Sequence, residues 1–147
     1  MGSEMCIRDR CDLVISEHID ICAVTETWLT GIDCFTITDL INTLQDYNVY
    51  SLPRSTRGGG VAVITRKGLQ VKRNTSSVFS SFETLDLAIT SGNKQNKQFR
   101  LLTIYRPRAT KKNNLSKPQF FPTSRNFWKN SSLHPTSSFW LTISIFM

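Results

Sequence analysis

Glu26 is the residue whose type and position point most directly to chemistry. It lies just beyond Ile19 to Val24, a short apolar run rich in β-branched side chains that is typical of a strand buried on both faces. A carboxylate at the end of such a strand is held by rigid backbone, as a metal ligand or a catalytic group must be. The alternative is an ordinary strand-end carboxylate in contact with water.

Other residue types that often build reactive sites form no recognisable site. Gly58 to Gly60 are not followed by Gly-Lys-Ser/Thr, so they indicate a tight turn into a strand and not a phosphate cradle. The cysteines lie at loose spacings without a CxxC pair or a Cys/His quartet, which argues against a zinc site. We expect reduced, structural thiols in an intracellular chain. These cysteines are Cys6, Cys11, Cys22 and Cys34.

Charge is distributed unevenly along the 147 residues, whose net charge is +7. Residues 1–50 contain nine acidic and two basic side chains, whereas residues 51–147 contain two acidic and sixteen basic ones. No Asp or Glu follows Asp86. A basic half is an electrostatic footprint suited to nucleic acid, but an ordinary solvated surface, or a stretch that is not natural protein, would look the same.

No segment predicts a membrane span. An uninterrupted apolar stretch would need roughly 18 residues, and the run from Phe139 to Met147 has only nine. No basic region followed by an apolar run predicts a secretory signal. Residues 1–10, MGSEMCIRDR, lack an apolar period and are interpreted as an added leader or library scar. We expect neither a membrane partner nor a small-molecule cofactor.

Short apolar segments between turn residues predict several strands and few helices. Asp12 to His18 is typical of the last two turns of a helix, and Asp39 to Leu44 of a second, short helix. From Ser116 to Met147 no period persists, which predicts a poorly ordered tail. The pattern favours a layered α+β domain built on antiparallel sheets. The other predicted strands are Tyr47 to Leu52, Val61 to Thr65, Leu69 to Val71, and the hairpin pair Glu83 to Thr90 and Phe99 to Tyr105.

Four ordered segments carry a resemblance to one family. They are IDICAVTETWL (19–29), RGGGVAVITRKGL (57–69), FETLDLAI (82–89) and LLTIYRP (101–107). In this order and spacing they resemble the apurinic-endonuclease-like endonuclease/exonuclease/phosphatase domain at the start of the reverse-transcriptase polyprotein of non-LTR (LINE-type) retrotransposons. The resemblance covers residues 11–108 and leaves residues 109–147 as an irregular tail.

The resemblance implies a DNase I-like fold, a four-layer α/β sandwich of which this α+β chain holds the incomplete N-terminal half. It implies a divalent cation, usually Mg²⁺, and a DNA partner in the nucleus, where the family nicks target DNA so that the free 3′ hydroxyl primes reverse transcription. Phosphodiester hydrolysis calls for a hard cation with oxygen ligands.

Individual residues take their expected roles from the same resemblance. Glu26 matches the metal-ligand Glu of the family's ETW motif, and Tyr105 matches the tyrosine that contacts the scissile phosphate. Arg57 and Arg106 are candidates for contacts with DNA phosphates, although surface arginines more often only solvate the protein.

Three motifs that the family uses for catalysis are missing in frame: an Asn on the first strand, Gly-Asp-x-Asn, and Ser-Asp-His. Losing a general base or a phosphate-binding group lowers the catalytic rate by a factor of about 10² or more. We therefore expect an inactive and marginally stable domain, truncated at both ends.

Alternatives remain for the tail and for the function. A frameshift between Arg108 and Pro122 would explain the acid-free tail through loss of an acidic helix, whereas the rival explanation is a genuine basic extension. The chain could also be a non-catalytic basic nucleic-acid-binding module, or a retroelement relic with no cellular role.

Overall fold

The structure is a computed structural model that describes residues 3–29, 38–39, 42–52, 59–75, 82–91, 98–106 and 138–145. Over these residues the chain forms helix α1 and seven strands. Helix α1 spans Ser3–Ser16, and the strands are β1 Ile21–Thr25, β2 Tyr47–Leu52, β3 Val61–Arg66, β4 Leu69–Arg73, β5 Glu83–Ser91, β6 Gln98–Arg106 and β7 Ser138–Ile145.

The strands form two sheets. The first has three strands in the order β1-β3-β2, and both pairings are antiparallel. The second has four strands in the order β4-β5-β6-β7, with antiparallel pairings except for β7, which runs parallel to β6. The predicted hairpin of β5 and β6 is confirmed by their antiparallel register, in which Glu83 faces Tyr105.

The two sheets pack face to face around one hydrophobic core. Val61 and Val63 of β3 lie in the same buried cluster as Leu85, Leu87 and Ile89 of β5. The spacing by two places these side chains on one face of each strand, because successive side chains of a strand point to opposite faces. This core holds the ends of β1 and β6 together, although these strands belong to different sheets.

Helix α1 covers the other face of the three-stranded sheet. Cys11 and Val14, three residues apart, form its buried stripe and pack with Val24 and Ile64. The Tyr47 hydroxyl donates a hydrogen bond to the Val14 carbonyl at 3.2 Å. The described architecture is thus helix, sheet, sheet, and the four-layer sandwich that the resemblance implies stays a prediction.

β3 and β1 differ in burial, and their places in the sheet explain why. β3 is the central strand, so its residues from Val61 to Thr65 are all buried. β1 is an edge strand of the described sheet, and only Val24 in it is fully buried. The expectation of a strand buried on both faces at this position is therefore wrong for most of β1.

The N-terminal boundary also differs from the expectation. α1 begins at Ser3, inside the segment 1–10 assigned to a leader, and the Arg10 guanidinium donates to the Thr25 carbonyl at 2.7 Å. Residues 1–10 lack an apolar period, yet the helix needs only the single stripe that Cys11 and Val14 supply. Among the described residues, no helix is long and apolar enough to cross a membrane.

The tail contains a strand, unlike the irregular segment expected over residues 109–147. β7 has apolar residues at positions 139, 141, 143 and 145, and Ser or Thr at 138, 142 and 144, with Trp140 as the one exception to the alternation within the strand. An alternation with a period of two is typical of a strand. The segment is only eight residues long and follows a long polar stretch, so the tail as a whole was predicted to be irregular. The predicted short helix over 39–44 falls partly on undescribed residues, while Asp39, Asn42 and Thr43 are helical.

Candidate functional site

Glu26 follows β1 directly and lies where the two sheets meet. Its carboxylate is half-buried, and Oε1 accepts a hydrogen bond from the Tyr105 hydroxyl while Oε2 accepts one from the Gly59 amide at 3.2 Å. Its backbone is in the left-handed region, with φ of 57°. A non-glycine residue adopts this conformation at a cost and persists there only when its surroundings hold it. The structure thus fixes Glu26 by contacts to both its side chain and its neighbours.

Tyr105 brings the second sheet to this site. It is the penultimate residue of β6, and only 2% of its surface is exposed. Its ring belongs to the core between the sheets, so its hydroxyl reaches Glu26 from a rigid position. The two residues predicted to carry the chemistry, which are 79 positions apart in sequence, are therefore in contact.

Gly59 and Gly60 form the turn that enters β3, as their sequence predicts. Their φ angles are 79° and 89°, which glycine adopts without strain. The Gly60 carbonyl accepts the Thr27 amide at 3.3 Å, and the Gly59 carbonyl accepts the Trp28 amide at 2.8 Å. A Cβ on Gly60 would lie 2.5 Å from Thr27 Oγ1, so a larger residue does not fit. The turn therefore fixes the backbone of the two residues after Glu26 through these hydrogen bonds.

Glu83 is the residue at this site that sequence reasoning missed. It begins β5, directly opposite Tyr105 in the β5–β6 register. Its Oε2 accepts a hydrogen bond from the Gly60 amide at 2.8 Å. The signal was present in the sequence, because Glu83 is a carboxylate at one end of an apolar strand, as Glu26 is.

The site fits Mg²⁺ in ligand type and offers it few protein ligands. Carboxylate oxygens are what this hard cation prefers, and one or two carboxylates with several waters are the usual protein share of such a site. Each Glu26 oxygen accepts one of the hydrogen bonds above and retains a second lone pair for a cation. Within the described part of the chain, however, no three His, Cys, Asp or Glu side chains come together as a metal-binding group.

The two candidate arginines differ in what the structure says of them. Arg106 is the half-buried last residue of β6 and follows Tyr105, so it lies at the same end of the sheet. Arg57 lies outside the described residues, as does Pro107 of the tyrosine motif. Contact of either arginine with a DNA phosphate stays a prediction.

A second polar cluster has a structural explanation. Asp86, which is 3% exposed, pairs with Arg100, whose Nη2 donates to Oδ2 at 2.5 Å and whose Nε donates to Oδ1 at 2.9 Å. The Asn74 side chain donates to the same Oδ1 at 2.8 Å. With these donors the buried carboxylate is satisfied, as a buried charge must be. The cluster ties β4 and β6 to β5 and offers no open ligand.

The thiols described by the structure are structural. Burial is the largest cause that raises the pKa of Cys11 to about 11, and it also raises the pKa of Cys22. A thiol with a raised pKa forms little thiolate at neutral pH, so it is a poor nucleophile and a poor metal ligand. Neither thiol is in a disulfide.

Comparison with known proteins places this geometry within a known fold. No family model and no curated protein sequence matches the chain. A truncated TDP2 from Caenorhabditis elegans superimposes with a TM-score of 0.61 at 16% identity, covering 97% of this chain and 55% of that one. An endonuclease/exonuclease/phosphatase family protein from Bacteroides thetaiotaomicron gives 0.65 at 11% identity, covering 92% and 52%.

A third solved structure was determined with nucleic acid. It is TDP2 from D. rerio complexed with a single-strand DNA product, with a TM-score of 0.61 at 15% identity, covering 92% of this chain and 51% of that one. The chain spans about half the length of each of these neighbours. At these identities the comparison concerns the fold alone. The chain has the fold of part of an endonuclease/exonuclease/phosphatase protein, with Glu26 and Tyr105 in contact at the ends of its two packed sheets.

Proposed function

We propose that this chain is part of a Mg²⁺-dependent DNA endonuclease domain of the LINE type, and that it does not cut DNA by itself. The reaction of the whole domain is hydrolysis of one phosphodiester in target DNA, in the nucleus, to prime reverse transcription. The observation that supports this best is the contact between Glu26 and Tyr105, because it joins the carboxylate and the tyrosine that the family resemblance assigns to metal and phosphate.

Each residue of the site has a defined task in this proposal. Tyr105 is fixed by the core, and its hydroxyl donates its one proton to a Glu26 oxygen. In the complete site the same proton is donated to a phosphate oxygen once that Glu26 oxygen binds the cation. The Gly59 amide orients the other Glu26 oxygen. Mg²⁺, when bound, supplies charge neutralisation at the phosphodiester. The oriented carboxylate holds its side of the cation, and the rest of the coordination falls to water and substrate oxygens.

Inactivity follows from the groups that the site lacks. Hydrolysis needs a group that activates the attacking water and donors that stabilise the developing charge. The described residues around Glu26 and Tyr105 contain no histidine, and the Gly-Asp-x-Asn and Ser-Asp-His motifs are absent from the sequence. We call the group formed by Glu26, Tyr105 and the Gly59 amide the half-site, because it is one part of a catalytic site. Such a half-site orients a phosphate without cleaving it.

The test is nicking of supercoiled plasmid in Mg²⁺ by the purified chain, run beside Glu26→Ala and the matched control Glu17→Ala. Glu17 is an exposed acid beyond the end of α1, so its removal keeps the net-charge change and spares the site. We expect equal, background levels of nicked circles in all three reactions. Nicking that Glu26→Ala abolishes and Glu17→Ala keeps would contradict the proposed inactivity.

A metal-binding measurement tests whether Glu26 is a metal ligand or a carboxylate with no role in metal binding. Mn²⁺, which stands in for Mg²⁺ and is detected by its electron paramagnetic resonance signal, is expected to bind weakly to the wild-type chain and to Glu17→Ala. Glu26→Ala is expected to lose that binding. Equal binding by all three proteins would contradict the assignment of Glu26 as the metal ligand.

A second candidate function is a non-catalytic, basic nucleic-acid-binding module. It is favoured by the charge of residues 51–147, which carry sixteen basic and two acidic side chains. Such binding would weaken steeply with salt and would not depend on metal, since it comes from released counterions. A third possibility, a retroelement relic with no cellular role, predicts neither specific DNA binding nor nicking.

A further inference from the structure

Two consecutive backbone amides bind two carboxylates that come from different sheets. Gly59 N–H donates to Glu26, just beyond β1, and Gly60 N–H donates to Glu83, at the start of β5. Hydrogen bonds from a backbone amide to a carboxylate are charge-assisted and stronger than neutral ones. The turn before β3 is thus held from both sides of the core.

The same turn decides the backbone conformation after β1. The carbonyls of Gly59 and Gly60 accept the amides of Trp28 and Thr27, so residues 26–28 follow the position of the turn. Both Glu26 and Trp28 are left-handed, with φ of 57° and 56°. Each such non-glycine residue costs of order 1–3 kcal/mol and needs outside contacts to persist.

We propose that Glu83 is a positioning residue, which fixes the Gly59–Gly60 turn and through it orients the Glu26 carboxylate. The inference rests on the proposed function, in which Glu26 is the metal ligand. Glu83 acts as a hydrogen-bond acceptor in this role, so its charge matters less than its oxygen. A direct metal ligand in the same place would instead need the negative charge.

The first test uses no metal and reads the turn itself. Amide hydrogen exchange of Gly59, Thr27 and Trp28 is compared in wild type, Glu83→Ala and Glu83→Gln. We expect exchange to become about tenfold faster in Glu83→Ala, since one charge-assisted bond to the turn is lost. Glu83→Gln keeps an acceptor oxygen for Gly60 but loses the charge assistance, so its exchange is expected to lie between that of wild type and that of Glu83→Ala. A general loss of stability would speed exchange at Val63 in the middle of β3 as well.

Thr90→Ala provides a matched control on the same strand. Thr90 is a half-buried polar residue near the other end of β5, so its removal perturbs the strand without touching the turn. It is expected to leave exchange at Gly59, Thr27 and Trp28 unchanged. Unchanged exchange at these amides in Glu83→Ala would overturn the proposal.

The second test measures the Glu26 site with Tb³⁺, an oxygen-seeking cation whose luminescence the nearby Trp28 can excite. Affinity is expected to fall severalfold in Glu83→Ala, to recover in part in Glu83→Gln and to be lost in Glu26→Ala. An equal loss in Glu83→Ala and Glu83→Gln would overturn the positioning role in favour of direct ligation. If wild type bound no Tb³⁺ while the exchange results held, the positioning of Glu26 would stand and the metal-binding part of the proposed function would fail.

Discussion

A residue with left-handed backbone lies near each end of β3, and different kinds of contact hold the two residues in place. Because β1 and β3 are antiparallel, the last residues of β3 lie near His18, which precedes β1, and the first residues of β3 lie near Glu26, which follows β1. Both His18 and Glu26 have left-handed backbone, with φ of 51° and 57°. At the His18 end an arginine side chain makes the links, whereas at the Glu26 end the backbone of two glycines makes them.

Arg66 organises the His18 end from a partly exposed position. Its Nη2 donates to the His18 carbonyl at 2.6 Å, its Nε lies 3.2 Å from Asp20 Oδ1, and its guanidinium lies 5.9 Å from the centroid of the Tyr47 ring. Both members of the ion pair are substantially exposed, at 41% and 68% of their side chains. Exposed pairs of this kind contribute little to stability because water screens them.

At the Glu26 end the contacting groups are buried, in contrast to the exposed side chains at the His18 end. Gly59 and Gly60 are buried, and Tyr105 is 2% exposed, so the groups that donate to the half-buried Glu26 carboxylate are themselves shielded from water. The comparison shows that strain at the His18 end is held by replaceable side chains, while strain at the Glu26 end is held by backbone that only glycine can supply. Strained backbone that the structure over-determines is a mark of functional sites.

The largest expected effect in this comparison is that of Gly60→Ala. The new Cβ would lie 2.5 Å from Thr27 Oγ1 in a backbone with φ of 89°, and the left-handed conformation alone costs an alanine roughly 1–2 kcal/mol. We expect the free energy of unfolding to fall by about 2 kcal/mol or more, measured by urea denaturation.

Gly68→Ala is the matched control for that substitution. Gly68 lies in the β3–β4 turn, where a Cβ would meet no other atom within 4 Å, so the change is expected to be neutral or stabilising by up to about 1 kcal/mol. Similar losses in both variants would show that the Gly60 contact with Thr27 has no special role.

Tyr47→Phe tests the His18 end at a buried hydrogen bond and should have an intermediate effect. The lost bond runs from the Tyr47 hydroxyl to the Val14 carbonyl, which keeps a second partner in the Ile19 amide at 3.0 Å. We expect a loss of about 1 kcal/mol, the usual net value of such a hydrogen bond. A loss as large as that of Gly60→Ala in the same denaturation experiment would remove the contrast between the two ends.

Arg66→Ala should have the smallest effect, despite its several contacts. The side chain is partly exposed, and its ion pair with Asp20 is screened by solvent. We expect a smaller shift of the thermal midpoint than for Tyr47→Phe, and one that shrinks further in high salt. A salt-independent shift larger than that of Tyr47→Phe would show that this end is held as firmly as the other.

Much of the fold could be predicted from the sequence because its strands are short apolar runs between turn residues. β2 to β6 follow those runs closely. The burial of β1 could not be predicted, since an apolar run does not reveal whether its strand is central or at an edge. The start of α1 was missed because residues 3–10 carry no apolar period, and β7 because its alternation follows a long polar stretch.

The sequence names Glu26 and Tyr105 as candidates, whose roles stay predictions, but it does not give the contact between them. Glu26 and Tyr105 stand out through the family resemblance, while the hydrogen bond between them depends on how two sheets pack. Glu83 was missed for the same reason, because its partner is a backbone amide 23 residues away. Acceptors for backbone groups leave no motif in a sequence.

The most direct test of the central claim, that the two sheets assemble a half-site, is a double-mutant cycle between Glu26 and Tyr105. The free energy of unfolding is measured for wild type, Glu26→Ala, Tyr105→Phe and the double variant, because an alanine, unlike a glutamine, leaves no acceptor for the Tyr105 hydroxyl. We predict a coupling energy of about 1 kcal/mol or more, as a hydrogen bond to a carboxylate should give. Effects that add to within about 0.3 kcal/mol would contradict the claim.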